Sequence, residues 1–242
     1  CCGRRGMNDP ALLSRMKAQA GEGFAWTLLI DDDEMVYRFP HGHPDRKKRG
    51  ELNPHFLDAR GISETIAPLV RILKPSACTV MLKIGGVYRT EALEFGAFLR
   101  ALSRCLDGLP VSCRYAVENG TPRFILPEYL ACLRERNVIH VPAPVPLLDA
   151  LRVPGALGAD ACVLRTACLA TEEEGEEWAG FREAVRLCAG EGKALYAYLT
   201  GGEDTALSPP APRGAGVPRL TRLLAGLDPE LALRSPIRRK AA

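Results

Sequence analysis

Short apolar runs recur six times along the chain, separated by longer stretches in which apolar residues return at helical spacing. Runs of this length, rich in β-branched residues and bounded by turn signals, are typical of buried β-strands. They predict strands at residues 24–30, 78–84, 111–119, 138–141, 161–167 and 194–200. A further short apolar piece at 35–39 precedes a polar loop at 41–54 that proline and glycine punctuate.

The stretches between the strands are predicted to be helices. Ile62, Ile66 and Leu69 recur at helical spacing, and Ser63 is a plausible N-cap for them. Pro127 stands where proline is tolerated, at the first turn of a helix. The pattern predicts helices at 11–20, 62–73, 90–106, 127–136, 174–189 and 218–227.

Alternation of strands and helices predicts an α/β fold with a parallel sheet, because right-handed crossovers join successive parallel strands. No G-x-G-x-x-G turn follows a strand, so a TIM-barrel-like (β/α) arrangement is favoured over an open dinucleotide-binding sheet. A closed barrel needs eight strands and six are predicted, so we expect an incomplete barrel. We divide the chain into an N-terminal extension (1–23), a barrel domain (24–230) and a basic tail (231–242).

Composition narrows the class of partner. The formal net charge of +3 is spread between basic runs at 46–49 and 234–240 and acidic runs at 31–34 and 172–177. This mixture predicts a solvated surface, and we expect no nucleic-acid partner. No apolar run approaches the roughly 18 residues that a membrane span requires, and we expect no membrane association.

Nine cysteines raise the questions of metal binding and disulfides. The chain contains no C-x-x-C pair, and most of the cysteines lie within apolar runs, as buried free thiols do. We therefore expect no metal, no disulfide within the fold and no cofactor. Free thiols indicate a reducing compartment, so we predict a cytoplasmic location.

Glu118 is the best single candidate for chemistry, because it ends a predicted buried strand at the edge where parallel sheets bind ligands. It could act as a general acid or base, or it could be a structural carboxylate paired with a cation. Arg165 lies inside an apolar strand and requires a carboxylate or anion partner if it is buried. We predict that Glu118 and Arg165 meet near the carboxyl ends of their strands.

Weaker candidates for ligand binding are Lys83, Tyr198 and Glu203, which lie in or just after predicted strands. For each of them a surface or core role is the simpler interpretation. His41, His43 and His55 share one basic loop, where the H-x-H spacing without an acidic partner is weak support for a metal. We expect these three histidines to lie in a solvated loop.

From about residue 24 to 227, the chain resembles the YecE-like family of bacterial proteins, a domain of unknown function. Asn53-Pro54-His55-Phe56-Leu57-Asp58 resembles an N-x-x-F-L-D segment, and Arg114-Tyr115-Ala116-Val117-Glu118 resembles an R-Y-A-V-E strand. The segments at 127–141, 163–165 and 195–198 are similar to later helices and strands of the family. The resemblance implies a TIM-like barrel and no established activity.

The departures from the family bear on function. Its first two βα units have no counterpart here, Gly120 stands where an arginine often follows the Glu-containing strand, and Gly201-Gly202 replaces an Asn-Asn pair. Two hypotheses follow. One is a hydrolase- or lyase-type enzyme that acts on a small polar or anionic ligand at the carboxyl ends of the strands. The alternative is a diverged, non-catalytic binding or scaffold protein on the same fold.

Overall fold

The computed structural model describes residues 10–20, 24–30, 33–74, 78–85, 87, 92–141, 161–167 and 194–200, with a few isolated positions between 186 and 192. The strands are β1 (Trp26–Ile30), β2 (Cys78–Ile84), β3 (Arg114–Asn119), β4 (Ile139–Val141), β5 (Ala161–Ala167) and β6 (Ala194–Thr200). The helices are α1 (Pro10–Ala20), α2 (Ala59–Leu73), α3 (Phe95–Gly108) and α4 (Pro127–Glu135). The predicted helix at 218–227 and most of the one at 174–189 lie outside the described residues, although residues 186 and 187 are described and are helical.

All strand pairs are parallel, as the alternating pattern predicted. β1 to β4 form one sheet in chain order, and β5 pairs with β6 in a second. The predicted α/β class is therefore confirmed. Chain-order winding places successive crossovers on the same side of a sheet, because each crossover is right-handed.

The four-stranded sheet has two chemically different faces. The helix side packs against α1 to α4 through a large apolar cluster that includes Val80, Leu82 and Val117. The other face, called here the inner face, carries a small cluster of Leu29, Met81, Ala116, Ile139 and Val141. No helix residue belongs to the inner-face cluster in the described part of the chain, but Tyr196 of β6 packs against it.

One local prediction was wrong, because Ser63 is not the N-cap of helix α2. Helix α2 is capped by Asp58, whose side chain accepts a hydrogen bond from the Arg60 backbone amide at 3.1 Å. Ser63 lies within the helix and donates to the Ala59 carbonyl at 2.6 Å. The apolar piece at 35–39 is not a strand, because a 3₁₀ turn (Asp33–Met35) occupies its start. In the described part of the chain, the piece at 35–39 forms only one isolated β-bridge, between Arg38 and Leu52, and that bridge is antiparallel.

The segment between β1 and α2 folds onto the carboxyl end of β2. The Gly85 amide donates to the Met35 carbonyl at 2.7 Å, and the Leu57 amide donates to the Glu34 carbonyl at 2.8 Å. Asn53 fastens the segment internally, since its Nδ2 donates to the carbonyls of Asp33 and Val36 at 2.6 and 2.9 Å. The predicted polar loop is thus an ordered cover at the edge of the sheet where ligand sites form in parallel α/β folds.

Candidate functional site at the carboxyl ends of the strands

Lys83, Glu118 and Val141 form a row across β2, β3 and β4, because the parallel register pairs Lys83 with Glu118 and Glu118 with Val141. Glu118 alternates with Val117, which belongs to the helix-side cluster, and shares its face with Ala116 of the inner-face cluster. Side chains on successive strand residues point to opposite faces. Glu118 therefore projects from the inner face, one residue before the end of β3.

Glu118 is a buried carboxylate, with 6% of its surface exposed. Lys83 is half-buried on the neighbouring strand, and paired strands lie about 4.8 Å apart. The row thus presents an acid and a cation side by side above an apolar floor that includes Met81 and Ala116. Such a pair can bind a polar ligand at two points, with the lysine on an anionic group and the carboxylate on a hydroxyl or amine.

The turn that follows β3 fixes the end of this strand. Asn119 Oδ1 accepts a hydrogen bond from the Thr121 amide at 2.9 Å, and Thr121 Oγ1 accepts one from the Val87 amide at 2.8 Å. The Gly120 amide donates to the Ile84 carbonyl at 3.0 Å. These bonds tie the ends of β2 and β3 together, so Lys83 and Glu118 stand on a rigid edge.

Asn119 also presents a buried donor without an acceptor. Its side chain is fully buried, and its Nδ2 has no hydrogen-bond partner in the described part of the chain. Buried amide donors are nearly always paired, with protein or with ordered water. A water or a ligand acceptor at the end of β3 would satisfy this donor.

The remaining sequence candidates lie on or beyond the second sheet. Arg165 and Tyr198 occupy paired register positions on β5 and β6. Their side chains, and all of Glu203, lie outside the described residues. The structure thus brings Lys83 and Glu118 together, whereas the pairing of Glu118 with Arg165 stays a prediction.

A second polar cluster lies in the segment between β1 and α2, and sequence reasoning missed it. His43 is buried, and its Nε2 lies 3.2 Å from Asp33 Oδ1. Lys48 Nζ lies 2.8 Å from the other carboxylate oxygen of Asp33. The expectation of a solvated histidine was therefore wrong for His43, because Asp33, ten residues earlier, supplies the acidic partner that the H-x-H spacing lacks.

The electrostatics of this cluster indicate a structural role. Burial alone would raise the pKa of Asp33, but hydrogen bonds from Lys48 and His43 outweigh it and hold that pKa below its usual value. The ionised carboxylate of Asp33 only accepts, so the imidazole donates to it from Nε2, while Nδ1 lies 3.1 Å from both the amide nitrogen and the carbonyl oxygen of Asp45. With both ring nitrogens engaged, His43 holds the loop in shape.

A cleft of about 440 Å³ opens beside this cluster. Charges of both signs line it together with Phe39 and Asn53. Lys48 Nζ lies 4.9 Å from the centre of the Phe39 ring, and this cation–π contact holds the ammonium group at the wall of the cleft. The residues that line the cleft follow β1 in the chain, so the cleft lies on the same carboxyl-end side of the sheet as Lys83 and Glu118.

Two kinds of feature, metal centres and membrane spans, are absent from the described residues. No group of three or more histidine, cysteine or acidic side chains there is arranged to hold a metal ion. Within the same residues, no helix is long and apolar enough to cross a membrane. In comparisons with known proteins, the chain matches no family model and no curated protein.

Proposed function

We propose that the chain is a YecE-like barrel protein that binds a small polar or anionic ligand at the carboxyl ends of its strands. Lys83 binds the anionic group of the ligand, and Glu118 binds a hydroxyl or amine or transfers a proton. The reaction class is hydrolysis or elimination. The observation that carries this proposal is the buried carboxylate of Glu118, aligned with Lys83 on a sheet face that none of the described helices covers.

The barrel is part of the proposal and rests on two observations. Strands β1 to β4 follow one another in chain order, whereas a doubly wound sheet reverses its order at a switch point. Tyr196 of β6 packs against the inner-face cluster, as expected if the sheet curves so that its later strands face its earlier ones. In this arrangement, Glu118 and Lys83 face the mouth of the barrel.

The test is a thermal-shift screen of the full chain with small anions and sugars. A ligand at ten times its dissociation constant should raise the melting temperature by about 3–6 °C for a domain of this size. Glu118→Gln and Lys83→Met should each abolish that rise. Glu128→Gln, which removes an exposed acid in the first turn of α4, is the matched control and should keep it.

One result of the same screen would contradict the proposed site. If every ligand that shifts the melting temperature of the native chain shifts that of Glu118→Gln equally, the site lies elsewhere. The cleft beside Asp33 would then be the next location to test.

The second candidate is a binding protein without chemistry, and one observation favours it. The buried imidazole of His43, on the carboxyl-end side, is bonded at both nitrogens within its own loop, by Asp33 and by the Asp45 backbone, as in a structural contact. To separate the two candidates, a ligand found in the screen is incubated with the protein and followed by mass spectrometry. Conversion that Glu118→Gln abolishes supports the enzyme, and an unchanged ligand supports the binding protein.

A further inference from the structure

Three thiols lie near the amino-terminal ends of β2 and β3, and the candidate site lies at the opposite ends of these strands. Cys78 is the first residue of β2, Cys113 immediately precedes β3, and Cys105 lies in the second half of α3. All three pack with the helix-side cluster, in which Cys105 is buried and the other two are half-buried. The three are free thiols.

The strand register places Cys78 and Cys113 next to each other. Thr79 is paired with Arg114, so one step back along both parallel strands brings Cys78 beside Cys113. Paired strands lie about 4.8 Å apart, within the 4.4–6.8 Å that usually separates the Cα atoms of a disulfide. Cys78 lies two residues before Val80, and Cys113 lies two residues before Tyr115, so each thiol shares a face with that neighbour. Val80 and Tyr115 both belong to the helix-side cluster. The two thiols therefore share a face.

The electrostatics of Cys78 agree with this proximity. Burial raises the pKa of the Cys78 thiol to about 12, and a negative charge on Cys113 adds to that rise. Cys113 precedes the hydrogen-bonded ladder, so its backbone can adjust as a bond forms. The described thiols are not arranged as a metal site. This leaves oxidation as the chemistry that the pair can support.

We propose that Cys78 and Cys113 are an oxidation-sensitive pair that closes to a disulfide by exchange with a small-molecule disulfide such as oxidised glutathione. The thiolate of Cys113 attacks one glutathione sulfur, which forms a mixed disulfide and releases one glutathione thiolate. The thiolate of Cys78 then attacks the Cys113 sulfur and releases the second. Two electrons pass to glutathione, and the two thiol protons pass to solvent or to the released thiolates.

The pair lies at the opposite end of the strands from Glu118. In parallel barrels the amino-terminal face serves stability, and the carboxyl-terminal face carries ligand chemistry. The disulfide would tie the amino ends of β2 and β3 without contacting the candidate ligand site. This modification site is therefore independent of the proposed function.

The experiment uses the full chain, first reduced and then exposed to oxidised glutathione. The reaction is quenched with acid, free thiols are alkylated, and a non-reducing tryptic digest is analysed by mass spectrometry. Cys78 falls in a peptide that ends at Lys83, whereas Cys105 and Cys113 share the peptide 105–114. Fragmentation of the linked pair therefore has to assign the bond to Cys113.

The expected result is a Cys78–Cys113 link that persists in Cys105→Ser and disappears in Cys113→Ser. The rate at which the mixed disulfide closes should rise about tenfold per pH unit between pH 7 and 9. This pH range lies well below the raised pKa of Cys78, so the fraction of attacking thiolate grows tenfold with each unit. A link through Cys105, or a mixed disulfide that never closes, would overturn the proposal. A closure rate independent of pH would overturn the assignment of Cys78 as the attacking thiol.

Discussion

Asp33 is held from two sides by groups that lie far apart in the sequence. His43 and Lys48 follow it by ten and fifteen residues and reach its two carboxylate oxygens separately. The sequence shows four consecutive acids followed by a basic loop, and no periodic pattern relates positions within a loop. The cluster could have been suspected only because the acids come directly after a predicted strand, where loop residues are held against the sheet.

Replacing Asp33 by Asn should destabilise the protein at neutral pH and have less effect in acid. The folded-state pKa of Asp33 is lowered, so its contribution is fully present above its unfolded pKa of about 3.9 and is lost as the pH falls through the folded value. The carboxylate is 42% exposed, and solvent screening limits the effect at pH 7 to about 1 kcal/mol or less. Melting curves at pH 7 and pH 3 measure it, with Glu128→Gln as an exposed control. A difference that persists unchanged at pH 3 would contradict the ionic origin.

His140 gives a second loss of stability in acid, which begins at a higher pH than that of Asp33. It is buried on β4, its Nδ1 lies 3.2 Å from the Tyr129 hydroxyl, and burial lowers its pKa to about 4. The unfolded chain binds a proton on this residue near pH 6.5, so stability should fall as the pH drops from 6.5 to 4. At about 1.4 kcal/mol per unit of pKa, the loss is on the order of 3 kcal/mol.

Denaturant unfolding at half-unit pH steps measures the His140 effect. His140→Gln keeps a polar partner for Tyr129 and cannot be protonated, so it should flatten the stability profile over that range. An equally steep profile in this variant would show that other groups cause the acid sensitivity.

At the scale of elements, the apolar pattern located strands more accurately than helix ends. Strands β2, β5 and β6 have the predicted bounds, whereas β1, β3 and β4 begin later than predicted. Phe24 and Val111, the apolar residues at the predicted starts of β1 and β3, are exposed and do not join the sheet. Hydrophobicity predicts burial only where tertiary packing reaches the residue, and a single sequence does not contain that information.

The N-cap of α2 is a direct test at this scale. Asp58→Ala removes the side-chain acceptor for the Arg60 amide and should cost about 1 kcal/mol in the free energy of unfolding. Ser63→Ala, at the residue that the sequence suggested as the cap, should cost clearly less, because its hydroxyl bonds a carbonyl within the helix. Chemical denaturation of both variants provides the comparison, and equal losses would contradict the assignment of the cap.

For the whole molecule, the sequence predicted a parallel α/β fold and a carboxylate near the carboxyl end of a central strand. This prediction was possible because the order of strands and helices along the chain determines the sheet type, through the right-handedness of the crossovers. The direction of parallel strands then determines the edge at which they all end. The burial of Glu118 and its alignment with Lys83 depend on register, which the pattern of apolar residues constrains only within each strand. The contact of Tyr196 with the inner-face cluster joins residues that lie far apart in the sequence, and no local signal reports it.

The central claim is that the sheet curves to bring the later strands over the row that contains Glu118. In a barrel, alternate strands contribute to the same interior layer, so Glu118 on β3 and Arg165 on β5 should meet inside. The most direct measurement is a double-mutant cycle on the free energy of unfolding, with Arg165→Met, Glu118→Gln and the double variant. Arg165→Met alone should cost on the order of 3–5 kcal/mol, and adding Glu118→Gln should recover part of that loss. Single effects that simply add would mean that the two side chains do not meet, and would contradict the account.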